Sequence, residues 1–162
     1  MGSLKRKKQM TVDEAKIRLA DLCSRSEQCS FDIRQKLYKW GFNSSTAEEI
    51  INLLIERKFL SDRRYAEAYA SDKVRFASWG RNKIRLSLKI KRIPDEIVSE
   101  ALADINPDDY KAAIKRVAER KARNLNLNDR EDRLKLYRHL LSRGFESNII
   151  SRLLSTARNR NA

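Results

Sequence analysis

A short sequence pattern that occurs three times is the feature that most limits the possible folds of this chain. In residues 33–42 and again in residues 136–145, apolar residues four positions apart precede a glycine and then an aromatic residue. Residues 84–93 fit the same positions, except that arginine and isoleucine stand at the last two. The glycine position is occupied in turn by Gly41, Arg92 and Gly144. These positions lie about 51 and about 52 residues apart, and such a fixed period is typical of tandem repeats of one supersecondary unit.

The middle copy of this pattern is ambiguous when it is read alone. From Ile84 to Ile90 apolar residues alternate with basic or small polar ones, which is typical of a half-buried strand. The first and third copies favour a helix instead, because residues at i and i+4 lie on one face of a helix. We therefore interpret residues 84–90 as a helix that carries apolar side chains on more than one side.

Three copies of the pattern predict an all-α protein of three tandem three-helix repeats that form an elongated, curved array. The 36% of charged residues, with only four glycines and two prolines, favours long solvated helices over a sheet. The predicted segments are a basic N-terminal tail at residues 1–10, repeats at 11–58, 59–105 and 106–157, and a C-terminal tail at 158–162.

Short polar motifs predict where several helices begin. Residues 11–14 form a Thr-x-x-Glu capping box at the start of the first helix. Ser30 is the predicted N-cap of the second helix, and two overlapping capping boxes within residues 45–49 are predicted to start the third. Ser61 or Asp62 is expected to cap the first helix of the second repeat.

The charge of the chain predicts an anionic partner. Thirty-six lysines and arginines against 22 acidic residues give a formal net charge of +14, which favours nucleic acid, a membrane surface or an acidic protein face. Between Lys73 and Arg92 there is no acidic residue, and a second basic stripe follows the spacing of one helix face. The candidate binding residues are Arg75, Arg81, Lys83, Arg85, Lys89, Lys91, Arg116, Arg120 and Arg123.

The aromatic residues are interpreted mainly as core residues. Phe76 stands with the others at a core-like position and is expected to pack. Trp79 differs because it interrupts the basic stretch next to Gly80. Core packing is the first interpretation of Trp79, and stacking on a base or insertion into a partner's pocket is the alternative.

No arrangement of residues predicts catalysis, a cofactor or a metal site. His139 is the one histidine, and a structural or surface role fits its position on a helix. Asp62, Glu67 and Asp72 could be imagined as a two-metal nuclease site, but their spacing scatters them around one predicted helix. A metal-dependent nuclease is therefore the third hypothesis, behind two kinds of binding protein.

The cysteines and the hydropathy of the chain indicate in which cellular compartment the protein is expected. Cys23 and Cys29 fit neither a disulfide framework nor paired metal ligands, and we expect Cys23 to be a small core residue and Cys29 to be exposed. There is no apolar run of about 18 residues that would predict a membrane span. A cytoplasmic protein without a membrane partner is expected.

Several segments together resemble the RecX family of bacterial recombinase regulators. They are FLSDRRYAEAY at 59–69, the Gly-x-x-Lys-Ile run that ends in Lys-Arg-Ile at 80–93, the Ala-x-x-Lys-Ala-Arg helix at 118–123 and Leu-Ser-Arg-Gly-Phe at 141–145. The chain departs from that family at Arg92, where glycine is usual, and at Ser61, where a second acidic residue is common. Because arginine tolerates a left-handed backbone poorly, Arg92 is expected to tighten or reshape the middle turn.

The resemblance implies a regulator in DNA repair, recombination and the SOS response. Members of the family consist of tandem three-helix repeats, bind the RecA recombinase filament on single-stranded DNA, and modulate, usually inhibit, strand exchange and ATP hydrolysis. For this chain we expect a non-enzymatic protein, because no catalytic arrangement is found, and a monomer, because an elongated array has no need to dimerise. Its own contacts with DNA are expected to be weak, salt-dependent and non-specific, as phosphate contacts alone provide. The alternative is a stand-alone DNA-binding protein of helix-turn-helix type, although the basic residues are spread over a long surface instead of one recognition helix.

Overall fold

The computed structural model describes residues 8–160. Within this range the chain forms helices and no strand, so the predicted all-α fold of tandem three-helix repeats is confirmed. The helices of the described range are α1 (Val12–Arg25), α2 (Ser30–Lys39), α3 (Ser44–Glu56), α4 (Asp62–Ala77), α5 (Arg81–Ile90), α6 (Asp95–Ala103), α7 (Pro107–Ala122), α8 (Arg130–Ser142) and α9 (Ser147–Arg160).

The chain divides between Tyr65 and Ala66 into two compact units. The first holds α1 to α3 and the start of α4, and the second holds the rest of α4 and α5 to α9. The predicted limits of the three repeats stay predictions. Residues 1–7 of the predicted basic tail lie outside the described residues, and α9 continues through the predicted start of the C-terminal tail as far as Arg160.

The ambiguous middle segment is helix α5, as predicted. Ile84 and Leu88 are fully buried, whereas Leu86 and Ile90 are 65% and 72% exposed. A helix turns by about 100° per residue, so residues two apart point to nearly opposite sides, as they also do in a strand. The alternating pattern therefore results from a helix with one buried apolar row and a second apolar row that faces solvent.

The three copies of the repeated pattern end in the same turn. Gly41, Arg92 and Gly144 have φ angles of +91°, +54° and +92°, in the left-handed region. The amide of the next residue donates to the carbonyl five positions earlier in the pairs Phe42–Leu37, Ile93–Leu88 and Phe145–Leu140, at 3.1, 3.2 and 3.2 Å. This is the hydrogen-bond pattern of a Schellman motif. Arg92 therefore keeps the shape of the turn, and the expected reshaping is wrong.

Because Arg92 holds a left-handed φ, we expect Arg92→Gly to stabilise the protein by about 0.5–1 kcal/mol. Glycine takes this backbone conformation without a Cβ clash, and that gain exceeds the extra freedom of glycine in the unfolded chain. Urea unfolding followed by circular dichroism measures the difference. Gly41→Ala is the matched opposite change, since the added Cβ meets only Gln9 Nε2 at 3.8 Å and the φ angle alone opposes it. A stabilising Gly41→Ala or a destabilising Arg92→Gly would contradict the argument.

Two of the predicted helix starts differ from the observed ones in the first unit. The capping box of residues 11–14 is confirmed by its two reciprocal bonds of 3.1 and 3.2 Å. Ser30 is wrong as the N-cap of α2, because Cys29 holds that position and the Ser30 amide donates to Asp62 Oδ1 at 2.7 Å. Asp62 thus caps α2, and Ser61 caps α4 by accepting from the Arg64 amide at 3.2 Å.

Helix α3 also begins earlier than the sequence predicts. Asn43 Oδ1 accepts from the Thr46 amide at 2.8 Å, so the predicted boxes within residues 45–49 do not form the cap. Glu48 instead binds Arg34, with Nε and Oε1 2.5 Å apart, and this hydrogen bond lowers the pKa of Glu48. Asparagine is at least as good an N-cap as serine or threonine, so Asn43 can start the helix before the predicted capping boxes.

The expectation that Cys29 is exposed is also wrong. Its side chain is fully buried, and burial is the main cause that raises the pKa of its thiol to about 11. Cys23 is half-buried against the core of the first unit, where burial and then the charge of Glu27 raise its pKa. Both thiols therefore stay protonated near neutral pH.

Candidate anion-binding surface

The second unit holds every predicted binding residue, and its geometry depends on a close contact between two backbones. The Gly80 amide donates to the Arg143 carbonyl at 2.8 Å, and the Asn82 amide donates to the Gly144 carbonyl at 2.9 Å. A Cβ on Gly80 would lie 2.2 Å from the Gly144 carbonyl carbon. The first turn of α5 is therefore fixed directly on the turn between α8 and α9.

Arg81 takes part in a network that joins α5 to α7 and to the start of α9. Its guanidinium lies 4.0 Å from the centre of the Tyr110 ring, its Nε donates to the Leu102 carbonyl at 3.2 Å, and Nη1 lies 3.4 Å from Glu146 Oε2. The Tyr110 hydroxyl donates to Glu146 and accepts from the Arg81 amide. Burial first, and then the bond to Glu146, raise the pKa of Tyr110. Arg81 is thus held inside the fold, which weakens its candidacy as a binding residue.

Two further arginines stabilise the C-terminal end of α4. Arg116 Nη2 donates to the carbonyls of Val74 and Arg75, each at 3.2 Å. Arg143 Nη2 donates to the Ala77 carbonyl. The last carbonyls of a helix have no partner within the helix, and they carry the negative end of its dipole, so cationic donors are favoured there. Arg116 was predicted as a binding residue, whereas Arg143 was not singled out.

The candidates on α5 are Lys83, Arg85 and Lys89, which together we call the α5 basic face. Arg85 and Lys89 lie on one side of the buried row of the helix, and Lys83 lies on the other side of it. Arg85 Nη1 lies 3.4 Å from the Ser99 hydroxyl, and Lys89 Nζ lies 3.4 Å from Asp95. These are long, solvent-exposed contacts, and such pairs contribute little to stability. The charges of this face are therefore available to a partner. Lys91 follows the helix and is half-buried.

Trp79 connects the α5 basic face to α4. Lys73 Nζ and Lys83 Nζ lie 4.6 and 4.4 Å from the centre of a Trp79 ring, and the indole is half-buried. Ammonium groups at these distances interact favourably with the ring face. Trp79 therefore contacts one lysine of α4 and one of α5, and its proposed contact with a base or a partner stays a prediction.

A second group of candidates lines a pocket of about 490 Å³ between the end of α4, α7 and α8. We call its four guanidinium side chains the arginine pocket: Arg75, Arg116, Arg120 and Arg143. The half-buried His139 also lines it, and desolvation, followed by the charges of Lys121 and Arg143, lowers its pKa. Arg123, at the end of α7, is exposed and does not line the pocket.

Phe76 lies at this pocket and not in the core. Its side chain is 77% exposed, so the expectation that it packs is wrong. The buried row of α4 consists of Ala66, Ala70 and Val74, four positions apart. Phe76 follows Val74 by two residues, about 200° around the helix. That spacing is the sequence signal that could have identified Phe76 as a surface residue.

Among the described residues, no group of three or more His, Cys, Asp or Glu side chains is placed to hold a metal ion. The same residues contain no helix with both the length and the apolar character to cross a membrane. Asp62, the residue that the nuclease hypothesis requires, accepts a hydrogen bond from the Ser30 amide.

These features define a class of protein: an all-helical repeat protein with a cationic surface. Residues 61–102 match the second three-helix domain of RecX, and residues 108–154 match the third. The chain belongs to the RecX family.

Named relatives agree with this assignment. Regulatory protein RecX of Vibrio parahaemolyticus is 30% identical over 149 residues, which cover 92% of this chain and 95% of the relative. Regulatory protein RecX of Clostridium tetani is 35% identical over 117 residues, which cover 70% of this chain and 53% of that protein. The chain thus spans about half the length of the clostridial relative.

Solved structures support the fold. The crystal structure of RecX from Lactobacillus salivarius superposes with a TM-score of 0.78 at 24% identity, over 90% of this chain and 95% of that one. A second crystal structure of regulatory protein RecX gives a TM-score of 0.76 at 24% identity. At this level of identity the likeness concerns the arrangement of helices alone.

Proposed function

We propose that the protein is a non-enzymatic regulator that binds the RecA filament on single-stranded DNA and lowers its recombinase and ATPase activity. The observation that carries the proposal is the α5 basic face, together with membership of the RecX family. A filament of recombinase and nucleic acid offers phosphates, and acidic side chains add to its negative charge, so it suits a partner with exposed cations.

Three of the candidate residues on α5 are better suited to a test of this proposal than the fourth, Arg81. Lys83, Arg85 and Lys89 extend from one short helix whose position is fixed at Gly80. Arg81 has internal partners, so its replacement would test stability and binding together. A clean test therefore changes the α5 basic face and leaves Arg81 in place.

We expect the double variant Lys83→Glu, Lys89→Glu to bind a preformed RecA filament at least about tenfold more weakly and to lose most of its inhibition of ATP hydrolysis. Each reversal replaces an attraction by a repulsion, and like charges across an interface are strongly unfavourable. ATPase rates of the filament, titrated at two salt concentrations, give the apparent affinity and its salt dependence. Circular dichroism establishes that the variant is folded.

Lys111→Glu, Lys115→Glu on α7 is the matched control, because it changes the net charge equally at two exposed positions outside both candidate surfaces. We expect this control to inhibit like the parent protein. Equal inhibition by both double variants, with both folded, would exclude the α5 basic face as the docking surface. A preferred duplex site bound about 10³-fold more tightly than random DNA would instead support the helix-turn-helix hypothesis.

A further inference from the structure

The arginine pocket in the second unit has a composition that neither the repeat architecture nor the α5 basic face explains. Its lining includes Arg75, Arg116, Arg120 and Arg143 together with Phe76 and His139. No aspartate or glutamate of the described chain is among its lining residues. Four guanidinium groups around a concave space of about 490 Å³ create a positive potential at a place where an anion fits.

The four arginines differ in how strongly the fold holds them. Arg116 and Arg143 are fixed by their bonds to the α4 carbonyls, and Arg143 Nε is buried without a hydrogen-bond partner in the described chain. Arg120 is exposed and forms no ion pair or hydrogen bond with any described residue. Arg75 contacts Asp109 only at 3.9 Å. The pocket thus combines two cations that hydrogen bonds to the backbone hold in place with two exposed cations, Arg75 and Arg120, of which only Arg75 has a carboxylate contact, and that contact is long.

The exposed Phe76 ring indicates which chemical group the ligand carries next to its anionic group. A phenylalanine that is 77% exposed gives up its hydrophobic burial, and this ring stands beside the Arg75 guanidinium, 5.3 Å from its centre. An exposed ring next to free arginines is the arrangement with which single-strand-binding proteins stack a base and hold its phosphate. An acidic peptide would use the arginines but has no need of the ring.

We propose that the arginine pocket binds one nucleotide of a single DNA strand, with its phosphate at Arg75 and Arg120 and its base stacked on Phe76. This inference rests on the proposed function and extends it, because it assigns a binding site on this chain to the single DNA strand of the filament. None of the residues that line the pocket belongs to the α5 basic face, so the two surfaces can be altered separately.

The test measures binding of fluorescein-labelled oligo(dT), and of an abasic strand of the same length, in the absence of recombinase. We expect Arg120→Glu to weaken binding of both strands about tenfold at low salt and to reduce the salt slope by about 1, as loss of one phosphate contact does. We expect Phe76→Leu to weaken oligo(dT) binding about fivefold or more and to leave the abasic strand unaffected, because only stacking is lost. Phe76→Trp should restore oligo(dT) binding.

Lys111→Glu is the control for the arginine change. It lies on the same helix α7, nine residues before Arg120 and so about 180° around it, and it is exposed. Equal effects of Lys111→Glu and Arg120→Glu would mean that only net charge matters, and this result overturns the proposal. If Phe76→Leu weakens binding of oligo(dT) and of the abasic strand equally, stacking of a base on Phe76 is excluded.

His139 offers a readout inside the pocket. The charged groups that face it are Arg75 on α4, Arg116, Arg120 and Lys121 on α7, and Arg143 directly after α8, all cationic. A phosphate bound among them would raise the pKa of His139. NMR titration of this single histidine should show that rise when oligo(dT) is added, and an unchanged pKa at saturation would place the strand elsewhere and overturn the proposal.

Two outcomes separate this inference from the proposed function. If poly-glutamate binds the parent protein, loses that binding with Arg120→Glu and does not depend on Phe76, the pocket is a site for an acidic protein segment and the inference is wrong. If Arg120→Glu weakens oligo(dT) binding as expected but the variant inhibits the RecA filament normally, the pocket binds a strand while docking depends on another surface. Failure of the proposed function alone would leave the oligo(dT) results intact.

Discussion

Replacing Gly80 by alanine is expected to destabilise the protein by at least about 3 kcal/mol, which is a large part of the stability of an ordinary domain. The new Cβ would lie 2.2 and 2.3 Å from the carbonyl carbon and oxygen of Gly144 and 2.3 Å from the Phe145 nitrogen. All three are backbone atoms, which cannot rotate away. The first turn of α5 would have to move off the α8–α9 turn, and the Gly80–Arg143 and Asn82–Gly144 hydrogen bonds would break.

Urea unfolding of the Gly80→Ala variant measures this loss, and Gly41→Ala is the comparison that isolates its cause. The φ angle of Gly80 is −83°, which alanine adopts freely, so the clash alone acts there. Gly41 has a positive φ, and a Cβ there would meet only Gln9 Nε2 at an ordinary contact distance of 3.8 Å, so strain alone acts, and about 1 kcal/mol is expected. A Gly80→Ala variant as stable as Gly41→Ala would contradict the observed contact between the two backbones.

The repeated pattern was sufficient to predict α5 and the positions of the three turns, although the change of shape expected at Arg92 was wrong. Helix or strand could be decided for residues 84–90 because two clearer copies of the pattern exist elsewhere in the chain. The same comparison located the left-handed turn at Arg92, where the residue type alone argues against it. A repeat lets a strong copy determine the structure of a weak one, since all copies must pack in the same way.

Helix starts and burial were less predictable because neighbouring residues compete for the same role. Asn43, Ser45 and Thr46 are all suitable N-caps, and only the packed structure decides that Asn43 is used. Cys29 was expected to be exposed because it precedes a predicted cap, yet as the actual N-cap residue it is buried. Local propensities do not distinguish between these alternatives.

The candidate surface shows a different limit, because a basic residue has the same appearance in the sequence whether it binds a partner or the fold itself. Arg81 and Glu146 are 65 positions apart, and Arg143 and Ala77 are 66 apart. No local pattern reveals such pairs. Charge counting therefore predicted a set of candidate binding residues, but it could not separate the arginines that hold helices together from those that are exposed.

The Arg81 network should be worth several kcal/mol, and a change of one hydroxyl tests it. We expect Tyr110→Phe to destabilise the protein by about 2–3 kcal/mol, because Glu146 loses the donor of a charge-assisted hydrogen bond and the Arg81 amide loses its acceptor. A double-mutant cycle with Glu146→Gln, read from urea unfolding, should give a coupling energy above about 1 kcal/mol. Additive single effects would mean that the two groups do not interact.

Because the pKa of Tyr110 is raised, the contribution of this network to the free energy of unfolding depends on pH. Folding favours the protonated phenol, so the folded protein keeps this proton at a pH where the unfolded chain, with a tyrosine pKa of about 10, has released it. The stabilisation is complete below pH about 10 and is lost as the pH rises above that value. Tyr110→Phe lacks the group, so its stability should fall less steeply than that of the parent protein over this range. Parallel pH profiles of the two proteins would contradict the raised pKa of Tyr110, because a phenol whose pKa is the same in the folded and unfolded states makes no contribution to the slope.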